Sequence, residues 1–245
     1  MTAGGRDAEV LVSRLLDQYE HHYHLLVSIL KGIVLYAAAT AILAIYTSDQ
    51  PAIVRTVATM YWVAGMVSMI ANYDGIMVGS LIITRPPSMI DVVMPFLLGV
   101  AEFSHFAVLA PLPADPVTGP LSTSAQRSHL AWWPFIFGLF TLIACIQITA
   151  SRQGSLDEAS RMAPDMAELN RWYAGSLVGG QRFTAIASTL LLLAFVALRT
   201  GLPGLELETL RRWQGGLAVI VTFGSLAGLV ASEQARHRIV AFVSR

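Results

Sequence analysis

The chain has 245 residues, 55% of them hydrophobic and 13% charged, with a mean hydropathy of +0.60. A soluble domain carries about 25% charged residues, so the polar coat of a globule is missing. The 16 basic and 16 acidic residues balance, which leaves no electrostatic footprint for nucleic acid. The single cysteine, Cys145, excludes an internal disulfide framework and any zinc or iron–sulfur centre built from several cysteines.

Residues 8–24 set Val10, Leu11, Leu15 and Leu16 at helical spacing among charged residues. This is the pattern of an amphipathic helix at the membrane interface, and residues 1–24 are read as one. A cleavable signal peptide needs a basic start and an apolar core, which this stretch lacks. Six apolar segments follow, at about 25–47, 55–84, 88–110, 129–150, 183–198 and 213–232. About 20 apolar residues cross a bilayer, so segment 55–84 must tilt, bend or protrude. Asp49-Gln50-Pro51, Arg85-Pro86-Pro87 and Gly201-Leu202-Pro203-Gly204 read as turns, and 111–128 as a proline-rich loop. Pro95 is a point of kinking in the third segment. Residues 151–182 form a polar cytoplasmic insert of helical composition, broken near Pro164. The predicted fold class is all-α: a polytopic membrane bundle of about six transmembrane helices (25–245) with an N-terminal amphipathic helix (1–24).

Six spans put both termini on one side. Arg6, Arg14, Lys31, Arg85, Arg152, Arg161, Arg171, Arg182 and the tail arginines Arg236, Arg238 and Arg245 then share that side. Arg55, Arg127, Arg199, Arg211 and Arg212 fall on the other. The excess of positive charge inside makes the termini cytoplasmic, in a bacterial-type inner membrane.

The second segment repeats small or polar residues every seven positions, at Ala58, Gly65, Asn72 and Gly79, with Ser68 and Gly75 interleaved. A seam of this kind lets another helix approach closely, and Asn72 can hydrogen-bond across it. Gly224 and Gly228 form a GxxxG match in the sixth segment, and Gly175 and Gly179 a second near the start of the fifth.

Ionisable residues inside these segments carry the functional signal, because charge in a bilayer is costly. Asp91, Glu102 and His105 share one stripe of the third segment: at about 100° per residue, Glu102 lies about 20° from Asp91 and His105 about 40° to the other side. Asp91 fits a helix start at the membrane surface. Glu102 and His105 lie deeper, toward the outer half. Their i, i+3 spacing suits a proton- or ion-handling pair, a structural pair, or half of a di-iron Glu-x-x-His set whose second half this segment lacks. Asp74 projects from the face of Val63, Val67, Ile70, Val78 and Leu81. There it needs a cation, a water-filled cavity or a proton, with Arg182 and Arg85 as partners. Near the N-terminus, Asp17, Glu20, His21 and His24 make i, i+3 and i, i+4 pairs of metal-ligating types, and equally an interfacial His/Tyr band.

These residues define three function classes. The first is a transport or channel protein with a polar intramembrane path through Asp74, Asn72, Glu102 and His105. The second is a non-catalytic subunit of a larger membrane complex. The third is a metal- or haem-binding subunit of an oxidoreductase, although a haem joining the His21/His24 cluster to His105 conflicts with their opposite depths. No cofactor is required by the pattern, and no P-loop, dinucleotide fingerprint, HExxH or Gly-x-Ser-x-Gly motif occurs. The expected partners are the bilayer and other membrane subunits or further copies of the chain.

Overall fold

The computed structural model describes residues 3–49, 52–82, 89–110, 123–162, 164–200 and 207–244. Within them, the side chains of 3–22, 80–82, 89–92, 123–130, 207, 208, 210, 211 and 243 lie outside the description. The described residues form six helices and no strand: α1 (Ala3–Thr47), α2 (Ala52–Ile82), α3 (Met89–Leu109), α4 (Thr123–Ala159), α5 (Pro164–Thr200) and α6 (Leu207–Val243). The all-α bundle expected from the apolar runs is the observed architecture.

Five stretches are long and apolar enough to cross a bilayer: Tyr23–Thr47, Ala52–Gly79, Ala131–Ala159, Pro164–Thr200 and Arg212–Phe242. The described part of α3 adds the shorter apolar helix Val93–Leu109. Large apolar side chains such as Tyr36, Leu43, Phe223 and Val230 point outward, as they do where a helix meets acyl chains instead of water. The protein is an integral membrane protein.

Two stretches are helically continuous with the spans beside them. α1 is continuous from Ala3 to Thr47, so the N-terminal stretch runs directly into the first span. Within 151–182, α4 runs on to Ala159 and α5 starts at Pro164, so the polar stretch is the end of a helical hairpin broken near Pro164. Proline takes the first helical position at no hydrogen-bond loss, and Asp165 meets the N-terminal dipole of α5. The turn closes with Arg161 N–H donating to the Glu158 carbonyl at 2.8 Å and the Ser160 hydroxyl to the Asp157 carbonyl at 2.6 Å. At about 1.5 Å per residue, a helix of 37 residues measures about 55 Å, well over the ~30 Å hydrocarbon core. The polar end of the α4–α5 hairpin therefore stands clear of the bilayer.

α4 and α5 pack antiparallel along most of their length, from Trp132 beside Phe195 (ring centroids 6.3 Å) to Gln181 donating to Thr149 at 2.9 Å. α2 and α6 are the other close pair and run parallel, with Val57 and Met60 beside Gly215 and Ser68 bonded to Ser225 at 2.8 Å. α1 packs on α3, and α3 on α4, whereas α5 and α6 touch sparsely. The main core is aromatic at its centre: Tyr61, Phe106, Trp133, Phe137 and Phe140 are all buried there.

Candidate functional site

The buried polar side chains divide by the neighbour each meets. Glu102, 1% exposed on α3, forms an ion pair with Lys31 of α1: the ammonium donates to Oε1 at 2.6 Å and also to Oε2. Asn72 of α2 is a polar neighbour of the same carboxylate. Three helices thus converge on one carboxylate, and Lys31, the only lysine of the chain, is its counter-ion and not a loop charge. Two buried charges in low dielectric repay their desolvation only when paired and hydrogen-bonded like this.

His105 lies one turn on and is fully buried, but it does not pair with Glu102. Its Nε2–H donates to the Tyr61 carbonyl at 3.0 Å, and its ring sits against Phe137 (centroids 4.5 Å) and Phe106 (5.2 Å). Tyr61 and Phe137 both stand nearer the start than the end of the α2 and α4 spans, so this histidine lies in the half of the bundle away from the α4–α5 turn. The imidazole occupies the space left by Gly65, where a Cβ would stand 2.5 Å from Nε2.

Asp74 pairs with Arg236 near the end of α6, and not with Arg182; Arg85 lies outside the described residues. Arg236 is 41% exposed and also holds Glu233 at 2.9 Å. Asp74, Glu102 and His105 therefore occupy three neighbourhoods, each with its own partner, and do not line one continuous polar path. The side chains of Asp91, Asp17, Glu20 and His21 lie outside the described residues, and His24 sits edge-on to Tyr23 (5.7 Å). Among the described residues no group of three metal-ligating side chains occurs.

The small-residue seam also divides. At Gly65 a Cβ would strike His105, and at Gly224 it would strike the Phe183 ring. At Gly75, Gly175, Gly179 and Gly228 it would meet nothing within 4 Å. Gly75, Gly179 and Gly228 of this second group border a cavity of about 790 Å³ between the α2·α6 and α4·α5 pairs. Its walls are drawn from within residues 68–79 of α2, 140–151 of α4, 173–184 of α5 and 221–235 of α6, with Tyr23 and Met94 alongside. These belong to the half of the bundle toward the α4–α5 turn. The cavity ends mid-span on Phe140, Val221 and the Ser68–Ser225 bond, beyond which lies the aromatic core.

The lining is small, apolar or uncharged polar, and among the described residues no Asp, Glu, Lys, Arg or His lines it. One of its polar groups lacks a partner: Gln147 Oε1 is buried without a hydrogen bond. The Tyr173 hydroxyl, on a residue 4% exposed that also lines the cavity, lies 3.1 Å from where a Gly79 Cβ would stand. Asn72 lines the cavity and neighbours Glu102, so the buried ion pair sits behind one wall.

Lys31 and Arg236 entered the sequence reading only as inner-side charges, and Gln147 and Tyr173 not at all. A lone lysine six residues past the start of an apolar run was the signal for the first; nothing in spacing marks the others. Comparison with family models, curated proteins and solved structures finds no match to this chain.

Proposed function

We propose that this integral membrane protein is of the transport class, with the cleft between the α2·α6 and α4·α5 pairs as its substrate chamber. The observation that carries the reading is the shape of the cavity: about 790 Å³, within the range of ligand sites, bounded by two helix pairs and ending at mid-span. A chamber reached from one side and stopped at the midplane is half of an alternating-access cycle, completed when one helix pair rocks against the other. The basic bias of the loops makes the open side cytoplasmic. The ion pairs Lys31–Glu102 and Asp74–Arg236 then act as fixed ties between helices, and conduction does not run through them.

The test is access to the floor of the chamber. In a Cys145→Ser background, Ser68→Cys is expected to react with a membrane-impermeant maleimide quickly from the side of the α4–α5 turn, and slowly from the opposite side. Complete absence of opposite-side labelling over hours would sink the transport reading. The accessory-subunit reading would then take its place, and one observation favours it. Only 17% of the α6 span is buried, against 44% of the α2 span, which leaves Trp213, Ile220 and Phe223 free for a neighbouring subunit.

A further inference from the structure

The cleft has a side opening as well as an end. α5 and α6 meet at two levels. At one, Phe183 packs into the space of Gly224; at the other, the Arg238 guanidinium lies 4.5 Å over the Trp172 ring and Tyr173 packs with Ala235. Between these levels stand Gly175 and Gly179 on α5 and Gly228 on α6, where a Cβ would meet nothing within 4 Å. All three are exposed, and Gly179 and Gly228 also line the cavity. A slit edged by Gly179 and Gly228 thus joins the chamber to the outer surface of α5 and α6.

We infer that the chamber binds an uncharged, elongated, lipid-class molecule that enters from the bilayer through the α5–α6 slit and hydrogen-bonds inside to the Tyr173 hydroxyl and the Gln147 side-chain carbonyl. This rests on the reading of the cleft as a substrate chamber and names its substrate class. Three observations on chemistry support it. The absence of charged lining disfavours an anionic or cationic ligand, which would be desolvated with no counter-ion. The partnerless Gln147 amide oxygen carries a desolvation penalty that a ligand hydroxyl would relieve, and the Tyr173 hydroxyl in the same lining can donate to a ligand ester or carbonyl. The walls between them, Gly75, Ile76, Leu177 and Ile148, offer an apolar sleeve for a hydrocarbon body.

The experiment uses the full chain in nanodiscs and two photoactivatable diazirine probes of equal chain length, a monoacylglycerol and the corresponding fatty acid. Peptides of α5 and α6 lining the cleft should be labelled at least tenfold more by the neutral probe. Gly228→Leu, which narrows the slit in open space, should cut that labelling at least fivefold with the thermal unfolding midpoint unchanged. Tyr173→Phe, which removes only the hydroxyl, should weaken competition by unlabelled monoacylglycerol several-fold. Equal labelling by both probes, or labelling indifferent to Gly228→Leu, would overturn the proposal. A soluble uncharged solute that protects the cleft where the monoacylglycerol does not would overturn the entry route and with it the lipid class. Neutral-probe labelling without opposite-side access to Ser68→Cys defeats transport and leaves the ligand class standing; opposite-side access without probe labelling does the reverse.

Discussion

One helix carries both halves of this molecule's argument. Around Gly65, α2 is packed so tightly that the His105 ring fills the place of a side chain, with Phe106 behind it. Ten residues on, Gly75 faces open space on the wall of the cavity. The two glycines belong to the same small-residue seam, yet one permits close packing and the other preserves a void. Membrane helices associate through van der Waals contact and hydrogen bonds, not through a hydrophobic drive. An unfilled stretch between helices therefore forfeits contact energy, and the cavity of about 790 Å³ carries that cost.

The packed half is broken most severely at its ion pair. Glu102→Gln leaves the Lys31 ammonium, 13% exposed, without a counter-ion, and is expected to destabilise by about 3–5 kcal/mol. The double variant Lys31→Met with Glu102→Leu should recover most of that loss, since well-packed apolar pairs replace buried ion pairs at little cost. Thermal unfolding in detergent measures both. A double variant no more stable than the single would mean that the carboxylate is needed for something beyond its lysine. Next comes Gly65→Ala, whose new methyl must displace a fully buried imidazole held by the Tyr61 carbonyl; overpacking of this kind costs about 1–3 kcal/mol.

At the boundary between the halves, Ser68→Ala with Ser225→Ala removes the hydroxyl–hydroxyl bond tying α2 to α6 across the chamber floor. Interhelical hydrogen bonds of this type average about 0.6 kcal/mol. The expected signature is a small fall in unfolding midpoint, with faster reaction of the Cys145 thiol if the floor loosens toward α4.

The contrast between the halves also marks where sequence reading stops. The apolar runs and their turns sufficed for the all-α membrane bundle, because a hydrocarbon solvent admits few other solutions. Helical composition in 151–182 was legible too. Its status as the end of a hairpin was not, since an insert and an extension have the same periodicity. The stripe of Glu102 and His105 identified the inward face of α3, but a helical wheel gives a direction and not a neighbour. Lys31 lies 71 residues from its partner, and the Tyr61 carbonyl that holds His105 is a backbone group with no sequence signature. The cavity was illegible for the same reason: Gly65 and Gly75 are identical letters at helical spacing, and only the neighbouring helix tells contact from void.

The smallest expected effect is therefore the most instructive. Gly75→Ala places a methyl where nothing lies within 4 Å, so no packing is disturbed. A glycine inside a helix is less favourable than alanine by roughly 0.5–1 kcal/mol, because it loses more backbone freedom on folding. The substitution should raise the unfolding midpoint slightly, opposite in sign to Gly65→Ala in the same helix. If instead Gly75→Ala destabilises as Gly65→Ala does, α4 or α5 closes onto this wall in the membrane, and the chamber is not the resting state of the bundle. If the signs are opposite, the open wall is stable on its own. A larger side chain at Gly75 then reports only on what the chamber holds.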